Sequence, residues 1–169
     1  MTKYIPLTQG QYALVDDADY KWLNQWNWCY NQGYAKRSDC HLGRRHRVTI
    51  IMSRLIMNCT EADKDIKIDH KNGDTLDYQR HNLRRATPIQ NTQNQKIRLT
   101  NTSGYKGVSL FNPTPMWQAR ICVDGKRKFI GSFATAELAA RAYDEAALKY
   151  HGEFARLNFP RESYLSASP

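Results

Sequence analysis

The stretch Ile66-Lys67-Ile68-Asp69-His70 alternates apolar and polar residues and ends on two side chains capable of chemistry. Alternation with period two predicts a strand, so a carboxylate and an imidazole arrive together at its end. The turn-forming Lys71-Asn72-Gly73-Asp74 follows, and a loop then runs to Asn82-Leu83-Arg84. Thr87-Pro88-Ile89-Gln90 reads as a helix start, with Thr87 at the cap, Pro88 at the first helical position and Gln90 completing a capping box. Asn91 then falls in the first turn of that helix. An unperturbed imidazole titrates near about 6.5, so His70 keeps a neutral fraction at physiological pH that can accept a proton. Taken singly, each of these residues reads equally well as a polar strand end, a loop residue or an exposed helix position. The information lies in Asp69-His70, Asn82 and Asn91 occurring in that order beside the capping box. His81 reads as a loop histidine.

The surrounding elements have to hold these groups. From Ile5 to Val15 the pattern predicts short strands, and Asp17 caps a short helix through Trp22 and Leu23. Trp26 and Trp28 share a face in a strand, Tyr34 to Arg37 returns antiparallel to it, Arg47 to Ile51 alternates as a strand, and Met52 to Met57 turns helical. Arg98 through Gly104 is polar and reads as a linker. Beyond it, Val108 to Leu110, Trp117 to Val123 and Lys126 to Gly131 read as three strands, with Asp124-Gly125 a hairpin turn. Thr135 caps a final helix whose small apolar face is Leu138, Ala139, Ala142, Tyr143, Ala146 and Ala147, and Gly152 closes it. The fold class is α+β. Residues 1–49 form an N-terminal α+β region, 50–97 the central core, 98–104 the linker, 105–160 a sheet-and-helix domain and 161–169 a tail.

Charge points to the partner. The chain of 169 residues holds 25 Lys and Arg against 16 Asp and Glu, a formal charge of +9. Residues 1–34 are slightly acidic, whereas residues 35–98 carry fourteen basic side chains against seven acidic ones and residues 103–160 carry eight against five. The excess therefore falls on the segments that hold the motifs, which favours a polyanion over a generally soluble surface. The run Arg44-Arg45-His46-Arg47 suits phosphate contact as well as a solvated turn. Cys29, Cys40, Cys59 and Cys122 have no paired spacing, so neither a structural zinc nor a disulfide framework is expected. The N-terminus lacks an apolar signal core and no run reaches the roughly 18 apolar residues of a membrane span, which predicts a reducing cytoplasm, either at the nucleoid or in a phage-infected cell.

The segment DHKNGDTLDYQRHNLRRATPIQNTQNQ, within residues 50 to 96, resembles the HNH endonucleases, in the phage and intron-encoded homing variant where Asn replaces the last His. That resemblance implies a ββα-metal core: two antiparallel strands and a helix around one divalent ion, Mg²⁺ foremost and Mn²⁺ as a substitute. Asp69 and Asn91 would be its oxygen ligands, His70 the general base and Asn82 a hydrogen-bonding support for His70. Many relatives place His before the Arg-Leu pair upstream, where this chain has Ser53.

A second resemblance covers residues 105 to 160, on Tyr105-Lys106-Gly107-Val108, Trp117 to Ile121, Ile130-Gly131-Ser132-Phe133, Ala139 to Ala147 and Leu157-Asn158-Phe159-Pro160. These residues are similar to the Apetala or ethylene-response-factor DNA-binding domain, which implies a three-stranded sheet lying in the major groove with its helix behind. The implied contacts are Lys106, Arg120, Arg127 and Phe129, with Lys126 and Lys128 adding phosphate attraction. Ser109 and Cys122 stand where plant members carry arginines, so a plant site preference does not transfer. Strand alternation turns Trp117, Ala119, Ile121 and Val123 toward the helix and Gln118, Arg120 and Cys122 outward.

Together these readings predict a site-specific, homing-type endonuclease of a phage or mobile element, acting on double-stranded DNA as a monomer or weak dimer. The rival reading is a non-catalytic DNA-binding regulator with a decayed nuclease core. A ribonuclease or toxin-type nuclease with little sequence choice fits a dedicated reading domain less well.

Overall fold

The computed structural model describes residues 1–39, 48–112 and 114–165, so Cys40 and the run Arg44-Arg45-His46-Arg47 lie outside the described residues. The chain divides into two compact units, Met1–Pro88 and Ile89–Pro169. Among the described residues, no helix is long and apolar enough to cross a membrane.

In the first unit, β1 (Thr2–Pro6) and β2 (Tyr12–Asp16) form an antiparallel hairpin whose alternation buries Ile5, Ala13 and Val15. Helix α1 (Asp17–Leu23) follows directly, with Asp16 at its cap position. Neither Asp16 nor Asp17 caps it as the sequence predicts. The Asp16 carboxylate instead accepts the Arg80 backbone N–H at 2.8 Å, binding the helix start to a distant loop. A three-stranded sheet of order β3-β4-β5 comprises β3 (Cys29–Asn31), β4 (Tyr34–Asp39) and β5 (Val48–Ile51). Trp26 and Trp28 precede β3 rather than belonging to a strand. The indoles of Trp22, Trp26 and Trp28 meet edge to face at 6.0 and 6.3 Å, and the Trp28 N–H donates to the Leu23 carbonyl at 2.9 Å. These contacts hold the segment against the end of α1, and Trp28 makes an isolated parallel bridge to Leu7.

Helix α2 (Met52–Ile56) leads into the antiparallel pair β6 (Lys67–His70) and β7 (Leu83–Ala86). One core contains Ile5, Val15 and Leu23 from the N-terminal elements together with Met52, Ile56, Tyr78 and Leu83. Described residues from both sides of position 49 therefore share one core. A hairpin and one short helix bury too little apolar surface alone, and sharing a core supplies the rest.

The second unit opens with α3 (Pro88–Gln93), which begins at the predicted proline. Its antiparallel sheet, order β10-β9-β8, is built from β8 (Val108–Phe111), β9 (Met116–Val123) and β10 (Lys126–Phe133). Asp124 and Gly125 have φ of 51° and 74°, as the two-residue hairpin turn requires. Helix α4 (Ala136–His151) packs on the sheet, with the Thr135 hydroxyl capping the Leu138 N–H at 3.3 Å and Gly152 at its end. Its buried face is Ala139, Ala140, Tyr143, Asp144, Ala147 and His151, while Leu138 is 51% exposed. The face is rotated from the predicted one because Asp144 turns inward. Its carboxylate accepts the backbone N–H groups of Asn158 and Phe159 and the Tyr164 hydroxyl, each at 2.9 Å, which ties the chain end and α5 (Glu162–Leu165) to the helix. The predicted linker is also ordered at its end: the Ser103 hydroxyl donates to the Val108 carbonyl and Asn101 accepts the Gly104 N–H, at 2.9 and 2.8 Å.

Candidate functional site

Within the first unit, the β6–β7 register pairs Asp69 with Arg84 and His70 with Leu83. Pairing of residues directly opposite brings their side chains onto one face, and the Arg84 Nε and Nη2 atoms both lie 2.7 Å from Asp69 Oδ2. Asp69, His70 and Asn82 are all buried. A buried carboxylate needs a charged or hydrogen-bonding partner, and Arg84 supplies it. The sequence reading did not single out Arg84, although a hairpin over residues 67–86 places it opposite Asp69 once the register is known.

The His70 ring packs edge to face on Tyr78 at 5.4 Å and tilts against Tyr34 at 6.1 Å. Tyr78 is itself fixed, its hydroxyl accepting the Ala35 N–H at 2.6 Å. Burial lowers the His70 pKa below its ordinary 6.5, and the nearby Asp69, Asp77 and Asp74 carboxylates oppose that shift only in part. The imidazole is consequently held neutral at physiological pH, the state a proton acceptor needs.

Asn82 has a different role from the one the sequence predicts. Its Oδ1 accepts the Asn72 N–H at 3.0 Å and its amide donates to the Asp77 carbonyl at 2.9 Å. Asn72 donates in turn to the Asp77 carboxylate at 2.8 Å, and Asp74 accepts the Leu76 N–H at 3.0 Å. Asn82 thus organises the loop that leaves His70 rather than supporting the ring. Short polar side chains that bond backbone groups one or two residues on define such loops. His81 is exposed and its carbonyl accepts the Lys71 ammonium at 2.7 Å, in keeping with a loop residue.

The donor chemistry decides what a cation would meet. Among the described residues no three His, Cys, Asp or Glu side chains gather as a metal cluster. A carboxylate oxygen such as that of Asp69 is a donor of the kind that suits Mg²⁺, which keeps several waters when protein-bound. Any ion that Asp69 takes shares the carboxylate with Arg84. Asn91 stands half-buried in α3, in the second unit.

The sheet of the second unit separates its basic residues by register. Arg120 is opposite Phe129 and Cys122 opposite Arg127, so these four share the outward face. All four are exposed, Phe129 at 59%. Lys126 and Lys128 pair instead with Val123 and Ile121, which are buried toward the helix. They project on the opposite side of the edge strand, and the Lys128 ammonium sits 4.7 Å from the Tyr150 ring centre on α4. Ala119, Ile121 and Val123 face the helix as predicted, with Trp117 packed partly against the same core. Gln118 is on the outward side but buried, and it accepts from the Arg120 guanidinium at 2.7 Å.

Lys106, expected as a DNA contact, has its ammonium turned into the fold. It is half-buried and its ammonium donates to the Gln93 and Gln95 carbonyls at 2.5 and 2.8 Å. The adjacent Gly107, at φ 75°, lets the chain pass under Tyr143: a Cβ there would fall inside the Tyr143 ring and 2.8 Å from the Arg120 carbonyl oxygen.

No family model matches the chain. Over about a third of its length it is similar to plant Apetala-type proteins. APETALA2-like protein 2 of Oryza sativa subsp. indica is 43% identical over 63 residues, which are 37% of this chain and 14% of that protein. Dehydration-responsive element-binding protein 2A of Arabidopsis thaliana is 60% identical over 37 residues, which are 22% of this chain and 11% of that protein. The chain therefore corresponds to only a small part of these relatives. Its likeness to Protein 3.8 of Escherichia phage T7 is broader, 37% identity over 93 residues, covering 55% of this chain and 76% of the phage protein. The chain belongs to the same family as that phage protein.

Proposed function

We propose that the chain is a DNA-binding endonuclease of the HNH type, which grips double-stranded DNA with the outward sheet face of its second unit and cleaves it with a centre that includes Asp69 and His70. The observation that carries DNA binding is the outward face itself, where Arg120, Arg127 and exposed Phe129 stand together on β9 and β10. Arginines in this setting suit bidentate contact to guanine edges and phosphates. The plant relatives support this half of the reading, since one of them is named as element-binding and matches part of this chain.

The nuclease half rests on chemistry at the end of β6. His70 is buried, neutral and aromatic-packed, so it can take a proton from an attacking water. Asn82 shapes the loop beside it, and Arg84 orients the Asp69 carboxylate. Asp69 and Asn91 would hold one divalent ion, Mg²⁺ foremost, which when bound supplies charge compensation at the scissile phosphate and the leaving oxygen.

Supercoiled plasmid incubated with and without Mg²⁺ tests the reading, with DNA binding followed separately by fluorescence anisotropy. The expected result is Mg²⁺-dependent nicking by the wild type, and a loss of 10² to 10⁴ in rate for His70→Ala at unchanged affinity, the range typical of removing a general base. Binding without cleavage by the wild type would select the second reading, a DNA-binding regulator. Cleavage at the wild-type rate by His70→Ala would exclude His70 as the base.

A further inference from the structure

We propose that Lys106 is a positioning residue that clamps the C-terminal end of α3 to the sheet-and-helix fold of the second unit, and so fixes the helix that carries Asn91. This deepens the nuclease reading and rests on it only for what Asn91 does.

The clamp has two halves on one residue. The side chain reaches toward α3: the ammonium donates to the carbonyl of Gln93, the last residue of that helix, and to that of Gln95 just beyond it. The final carbonyls of a helix lack partners inside it, and a lysine ammonium is well suited to satisfy them. The backbone is anchored in the other direction. The Lys106 N–H donates to Asn158 Oδ1 at 2.6 Å, and the Asn158 amide donates back to the Lys106 carbonyl at 3.2 Å and to the Asp144 carboxylate at 2.9 Å. Asp144 is fully buried on α4. An unbroken set of hydrogen bonds therefore runs from the end of α3 through Lys106 and Asn158 to the helix behind the reading sheet.

This geometry argues against the other use of a lysine here, a phosphate contact. A phosphate contact draws on the ammonium N–H groups, two of which Lys106 directs inward, and withdrawing it from its two carbonyls would leave both without that donor. Burial also lowers its pKa to about 8, with Arg156 adding to the effect and Asp144 opposing it, which marks the ammonium as withdrawn from water. Gly107 completes the arrangement, because only a residue without Cβ lets the turn before β8 pass Tyr143 with Lys106 held in this place.

Acetylation of the folded wild-type protein, read by mass spectrometry, needs no variant. Lys106 is expected to label at least tenfold more slowly than exposed Lys126, whether or not DNA is present. Equal labelling would overturn the clamp. In the full-length Lys106→Met variant, exchange of the Asn94 and Gln95 amides, which close the end of α3, is expected to accelerate tenfold or more. The slope of log binding constant against log salt should stay at the wild-type value, whereas Arg127→Ala, on the outward face, serves as the phosphate-contact control and should lose about one unit. Unchanged exchange, or a loss of one unit in Lys106→Met, would likewise overturn the proposal. The Mg²⁺ concentration for half-maximal nicking should rise about tenfold in Lys106→Met while the rate at saturating Mg²⁺ changes little, the signature of a displaced ligand helix. If the wild type does not nick at all, the nuclease reading fails, and labelling and exchange still decide the clamp.

Discussion

A histidine that begins neutral in the fold and becomes charged when the chain unfolds makes stability depend on pH. His70 has its pKa lowered by burial, so below the ordinary value the unfolded chain takes a proton that the folded chain refuses. The contribution is complete above pH 6.5 and is lost progressively as pH falls from there toward the depressed value. Urea unfolding of the metal-free protein between pH 8 and 5 is expected to show this slope in the wild type and a shallower one in His70→Gln. The carboxylates are common to both proteins, so the difference isolates the imidazole. Identical slopes would mean that His70 is as readily protonated in the fold as outside it.

At the scale of the element, the register of one hairpin assigns the basic residues of the second unit to different tasks. Arg120 sits on the outward face beside Phe129, whereas Lys128 lies on the other side against Tyr150. Arg120→Ala is expected to narrow the gap between specific and random duplexes by about 1 to 3 kcal/mol, the discrimination of one bidentate base contact. Lys128→Ala should leave both that gap and the salt slope at their wild-type values. Titrations at several salt concentrations separate the two effects, and a full unit of slope lost in Lys128→Ala would place its ammonium on phosphate. The β6–β7 hairpin works by the same principle, since its register brings Arg84 to Asp69.

At the scale of the molecule, the described residues form two cores, one around Tyr78, Met52 and Leu23 and the other around Tyr143, Ala119 and Ile121. A lesion confined to one should be felt there first. Gly107→Ala sets a methyl group against the Tyr143 ring and requires an unfavourable positive φ, for an expected loss of about 3 kcal/mol. Calorimetry of the full chain is expected to show one transition moved sharply down while hydrogen exchange around β6 and β7 keeps its wild-type protection. Equal loss of protection in both units would show that the chain unfolds as a single cooperative body.

Sequence alone determined whatever depends on local pattern and charge. Alternation over residues 66–70 located β6, Pro88 located the start of α3, Asp124-Gly125 located the hairpin, and Thr135 with Gly152 bounded α4. These are short-range consequences of backbone sterics and period, legible within a few residues. Tertiary structure decided the partners. That Arg84 would meet Asp69, that Asn82 would hold a loop instead of the imidazole, that Lys106 would turn inward to α3 and that Asp144 would rotate the buried face of α4 all depend on groups brought together across the fold. Local pattern carries no signal for such pairs, because a buried polar group takes whichever partner the packing places within hydrogen-bond reach, and only the packed chain selects it.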